Sequence, residues 1–120
     1  MEGLSETHLR YLLAIYELSQ ATPDVGAAAV AKALNVTKPS VTHMLNALME
    51  KKLLVRERYG KIYLTGSGFL TAKKFKQSVR QLEIRIPKMG LRLGDEEQYD
   101  LACMLAASLP EHTLEQLNDE

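Results

Sequence analysis

The stretch Val30-Ala31-Lys32-Ala33-Leu34-Asn35-Val36-Thr37-Lys38-Pro39-Ser40-Val41-Thr42-His43-Met44-Leu45-Asn46 decides how this chain folds. Its first part continues an alanine-rich run from Gly26. Alanine favours helix and leaves little bulk, so another helix can cross closely over it. Asn35 suits the left-handed conformation that ends a helix. Thr37 is placed to N-cap a new helix, and Pro39 falls in its first turn, where the missing N–H has no intrahelical partner. That second helix is expected to reach about residue 51, with Val41, Leu45 and Leu48 on one face. The opposite side carries Thr37, Lys38, Ser40, Thr42, His43 and Asn46. Two short helices around a tight turn, the second apolar on one side and polar on the other, read as a helix-turn-helix.

Upstream, Leu9, Leu12, Leu13 and Tyr16 form the stripe of an amphipathic helix over residues 6–20, entered at Ser5 and broken by Pro23 and Asp24. Downstream the period changes. Residues 53–58 and 61–65 read as two short strands around Tyr59-Gly60, with Gly60 supplying the positive φ of the turn. After Gly66 and Gly68 the helical period returns in Phe75, Val79, Leu82 and Ile86, and it should stop or kink at Pro87. Asp95 opens an acidic helix with Leu101, Met104 and Leu105. Ser108-Leu109-Pro110-Glu111 matches a capping box for a last helix carrying Leu114 and Leu117. The fold class expected is mainly α: a winged helix-turn-helix domain of three helices plus a β-hairpin over residues 1–66, then an all-α dimerisation domain over residues 67–120.

The 120 residues carry no net charge, but the charges are segregated. Residues 1–31 hold one base against four acids, and residues 32–61 seven bases against two acids. Residues 73–92 hold seven bases against one acid, and residues 93–120 eight acids with no Lys or Arg. A basic middle between acidic ends is the footprint of a DNA-binding surface beside a non-binding one. The exposed side of the second helix brings short hydroxyls close to a duplex, where they can bond phosphates or base edges. The hairpin tip, with Arg56, Arg58 and Lys61, suits phosphates or a minor groove. The candidate DNA-binding residues are therefore Thr37, Lys38, Pro39, Ser40, Thr42, His43, Asn46, Arg56, Arg58 and Lys61. The balanced overall charge and Glu57 in the wing keep open a winged-helix module that binds protein instead.

No nucleophile–base pair, glycine-rich phosphate loop or carboxylate pair is evident, so an enzyme is not expected. A single cysteine, Cys103, allows no internal disulfide and fits a reducing compartment. The acidic N-terminus lacks the pattern of a signal peptide, and the longest apolar run, residues 101–109, is far short of a membrane span. The expectation is a cytoplasmic protein with no membrane partner.

The segments at residues 12–18, 30–42, 51–54 and 64–68 resemble the diphtheria-toxin-repressor and manganese-regulator family of metal-dependent winged-helix repressors. The likeness is strongest over residues 11–70. It implies a homodimeric transcriptional repressor reading a palindromic operator in double-stranded DNA. It also implies a divalent transition metal, Mn or Fe, held between the first, fourth and fifth helices. The matching first-helix positions here are Arg10 and Leu13, and the fourth-helix histidine position is Val79. The fifth helix keeps Cys103 but has Ala106 and Ala107 where carboxylate and imidazole belong. Glu83 and Cys103 are thus remnants, no metal is assigned, and a metalloregulator-like repressor without the family switch is expected. A site rearranged around His8, Glu111 or His112 is the alternative. Three routes follow: constitutive binding, a small molecule in a pocket lined by Leu13, Val79, Ala106 and Ala107, or Arg10 as a built-in cation paired with Glu83 or an acid of the fifth helix.

Overall fold

A computed structural model of the chain describes residues 3–58 and 60–118. Tyr59, read as part of the hairpin tip, and Met1 and Glu2, read as the start of an acidic N-terminus, lie outside the described residues.

Helix α1 (Glu6–Ala21) starts where Ser5 caps it. The His8 N–H donates to Ser5 Oγ at 3.1 Å, and the Ser5 N–H donates to His8 Nδ1 at 3.0 Å. Two of the orphan donors of the first turn are satisfied in this way. Burial, and then the nearby charge of Lys51, hold the His8 pKa below its ordinary value, so the fold favours the neutral ring whose Nδ1 accepts. The stability that follows is present above the unfolded value of about 6.5 and is lost as pH falls through the lower folded value. Wild-type stability should therefore decline as pH falls from about 7 through the lower folded value. His8→Gln, which keeps the acceptor without titrating, should remove that part of the slope in urea unfolding. Identical slopes in the two proteins would refute it.

Helix α2 (Ala27–Leu34) ends at Asn35, whose φ of 55° and ψ of 49° are left-handed. The Val36 N–H closes the turn on the Ala31 carbonyl at 3.0 Å. Helix α3 (Lys38–Glu50) begins at Thr37, which accepts from the Ser40 N–H. Its end holds an unanticipated feature: Lys52 has a φ of 60°. The cost of this conformation, about 1–2 kcal/mol, is offset where Lys52 and Leu53 donate back to Met49 and Leu48, both at 3.0 Å.

Strands β1 (Leu54–Arg56) and β2 (Ile62–Leu64) pair antiparallel with Val55 opposite Tyr63. They are shorter than expected because both ends are taken by other structure. The Glu57 N–H reaches the Lys61 carbonyl at 2.7 Å, making a turn of the tip. At the other end Thr65 caps the next helix and Leu53 finishes the turn out of α3.

Helix α4 (Gly66–Arg85) starts at Gly66 and contains both glycines, a correction to its expected start after Gly68. Thr65 Oγ1 accepts from the Gly68 N–H at 3.0 Å and donates to the Lys52 carbonyl at 2.8 Å. A 3₁₀ turn at Pro87–Met89 and a left-handed Gly90 end the helical run. Helix α5 (Asp95–Ser108) and helix α6 (Glu111–Gln116) follow. The expected Ser108 capping box does not form. The Leu109 N–H bonds back to Leu105, which carries α5 through Ser108, and the cap position of α6 falls to Pro110 without a side-chain bond.

The apolar residues make two cores, and α1 serves both. Leu12 and Ile15 pack with Val30, Val41, Leu45, Leu48, Leu54 and Ile62. Leu9 and Leu13 pack with Phe75, Val79, Leu82, Ala102, Cys103 and Leu114. Helix α1 thus carries most of the coupling between the helix-turn-helix and hairpin and the α4–α6 half, with Ala72 of α4 also joining the first core. Among the described residues, no helix is long and apolar enough to cross a membrane.

Candidate nucleic-acid interface

Val41, Leu45 and Leu48 are fully buried, which fixes the rotation of α3. Thr37, Lys38, Pro39, Ser40, Thr42, His43 and Asn46 all stand exposed on its outer side and at its N-terminus. Thr37 and Ser40 are partly committed to the cap, their hydroxyl oxygens 2.9 Å apart. The positive end of the helix dipole and two exposed hydroxyls therefore sit at the end of α3 that carries Lys38.

On the wing, Arg56 and Arg58 are exposed. Lys61 is also exposed but is not a free cation: its Nζ lies 2.9 Å from Asp24, which raises its pKa chiefly through that hydrogen bond and the Asp24 charge. Both side chains of this pair remain exposed. The adjacent Ile62 N–H donates to the Val25 carbonyl at 2.9 Å. Together the two contacts fasten the wing to the loop between α1 and α2. Asp24 was read from sequence only as a turn former, because a surface ion pair across distant segments has no periodic signature. Lys51 and Lys52 are further exposed cations between α3 and the wing, and Lys51 Nζ donates to the Gly3 carbonyl at 3.1 Å.

The positions where the resemblance places metal ligands lie between α1, α4 and α5, and they do not fit a divalent ion. Leu13, Val79 and Ala106 are at most 3% exposed and pack in the second core, so the pocket expected there is filled by the protein's own side chains. Cys103 is buried in the same cluster. Burial pushes its thiol up to about 11, and neither Ala106 nor Ala107 offers a second donor beside it. Glu83 is half-buried, and its backbone carbonyl accepts from Gln98 Nε2. Among the described residues, no three His, Cys, Asp or Glu side chains converge as a metal site.

A cation does stand at the rim of this region. Arg10 Nη2 donates to Asp100 Oδ1 at 3.0 Å, and Arg10 Nη1 lies 3.5 Å from Glu6. Its guanidinium carbon sits 5.6 Å from the centre of the Tyr99 ring. Burial works against its charge, but Cys103 when ionised, Asp100 and Tyr99 outweigh this and raise the pKa. Of the two partners expected, the acid of the fifth helix is the one found.

The family model for the iron-dependent repressor N-terminal DNA-binding domain matches residues 3–62. The manganese regulator SloR superposes with a TM-score of 0.82 at 23% identity, over 93% of this chain and 52% of that one. IdeR of T. acidophilum gives 0.73 at 24% identity, over 99% of this chain and 55% of its own. A hypothetical protein of Sulfolobus solfataricus, SSo2273, gives 0.72 at 21% identity, over 97% of this chain and 88% of its own. At these identities the likeness is one of fold, and the chain spans about half the length of SloR. No curated protein sequence matches the chain.

Proposed function

This chain belongs to the iron-dependent repressor family through its N-terminal DNA-binding domain, and from that premise we propose that it is a sequence-specific transcriptional repressor that binds duplex DNA as a homodimer. The observation that carries this reading is the exposed polar side of α3, at full length and flanked by Arg56 and Arg58 on the wing. Such a helix fits the major groove while the wing meets the adjoining backbone. Residues 1–66 form the DNA-binding domain and residues 67–120 the dimerisation domain. Ile84, Met89, Leu91 and Met104 support a second copy as partner, since these apolar side chains of α4, α5 and their connection remain at least 44% exposed. In such a dimer the two α3 helices would stand about 34 Å apart, or a multiple of it, and read a palindrome. Because the donor set does not fit a divalent ion, the family metal switch is not part of this function.

The test is affinity for random-sequence duplex at two salt concentrations. A DNA-binding protein should lose affinity with a log–log slope of about −0.9 per phosphate contact. Absence of binding at low salt would overturn the reading in favour of a protein-binding winged helix.

A further inference from the structure

We infer that Arg10 is a built-in cation that locks α5 to α1 and so holds the DNA-binding arrangement without a metal. This rests on the function proposed above and adds how that function is controlled. Helix α1 gives Tyr11, Leu12 and Ile15 to the first core and Leu9 and Leu13 to the second, while α4 adds only Ala72 to the first, so fixing α5 against α1 helps fix the helix-turn-helix relative to the α4–α6 half. The apolar contacts of Leu9 and Leu13 with Ala102, Cys103 and Ala106 are non-directional. Arg10 supplies direction at their rim: a bond to Asp100, an ion pair with Glu6 and a face-on contact with Tyr99. One guanidinium thus gathers a carboxylate from each helix, as a bound cation would. Because it is part of the chain, its effective concentration does not vary with the metal content of the surroundings. Arg10 is a positioning residue, remote from α3 in sequence and absent from the exposed polar side that meets DNA.

Asp100→Asn and Arg10→Ala together give the decisive measurement. Asp100→Asn makes the protein more positive, so simple attraction to DNA predicts tighter binding; loss of the lock predicts weaker binding. We expect each variant to bind duplex about fivefold or more weakly than wild type, the lower range of coupling between sites. The double variant should be no worse than Arg10→Ala alone. Wild-type affinity should be the same in chelator and with added Mn(II), Fe(II) or Zn(II). Unchanged or tighter binding by Asp100→Asn, or a rise in wild-type affinity on adding metal, would overturn the inference. Amide hydrogen exchange over residues 95–108 is a readout independent of DNA. Faster exchange in both variants, at unchanged helical content by circular dichroism, supports the lock, and unchanged exchange refutes it. A protein that binds no duplex at all would sink the proposed function instead, leaving the exchange result to decide the lock.

Discussion

Replacing Gly68 with alanine is expected to destabilise the protein by about 3 kcal/mol, the upper part of the usual range for overpacking. Gly68 is buried in the first turn of α4. A Cβ there would lie 2.8 Å from the carbonyl carbon of Leu53 and closer still to its oxygen. This neighbour is backbone and cannot swing aside. The same carbonyl accepts from the Thr65 N–H at 3.1 Å, and Thr65 in turn caps α4, so moving it disturbs the junction of α3, the wing and α4 together. Gly66→Ala is the matched control. A Cβ at Gly66 meets nothing within 4 Å, and alanine in a helix is favoured over glycine, so that variant should be neutral or slightly more stable. Urea unfolding of the two variants side by side checks this. A Gly68→Ala midpoint equal to that of wild type would show that the close approach is not required.

The second large effect is on DNA. Alanine at Lys38, Arg56 and Arg58 together removes three exposed cations per chain from α3 and the wing, leaving the buried residues of both elements untouched. In a homodimer that is a loss of six phosphate contacts. The slope of log affinity against log salt should flatten by about five units. Wild-type protein should lose roughly a thousandfold in affinity between 50 and 200 mM salt through contacts of this number, and the triple variant should lose little of what remains. Lys61→Ala is expected to do less to the slope than any of the three, because Asp24 already balances its charge. A triple variant with the wild-type slope would mean that DNA, if bound, is held by another face.

The fold was legible where the cause is local. Asn35, Thr37 and Pro39 each act through their own backbone or the next turn, and the structure places the left-handed stop and the cap where those residues predict them. The same is true of Ser5 at the start of α1, of the turn at Gly60 and of the end of α4 near Pro87. Reading failed where a residue answers to a distant segment. The helical period was expected only after Gly66 and Gly68, whereas both lie in α4 and Gly68 is small because the Leu53 backbone passes over it. Ser108 carried the capping motif but was absorbed by α5, since a short pattern does not reveal which helix will claim it. The ion pair of Lys61 with Asp24 likewise has no signature in one dimension.

The helix-turn-helix and its wing, the opening stretch and what lies on either side of it, follow from sequence alone. Helix propensity, capping and alternation are short-range, and their period survives in one dimension. The chain alone also carried the absence of carboxylate and imidazole at Ala106 and Ala107, and the presence of Arg10 on the first helix. Only the tertiary structure decided what those substitutions became. Leu13, Val79 and Ala106 closed into core rather than leaving a pocket, because apolar side chains gain more by contact than by lining a void. Arg10 met Asp100 rather than Glu83, ninety positions along the chain, because the packing of α1 against α5 sets which carboxylate comes within reach of its guanidinium.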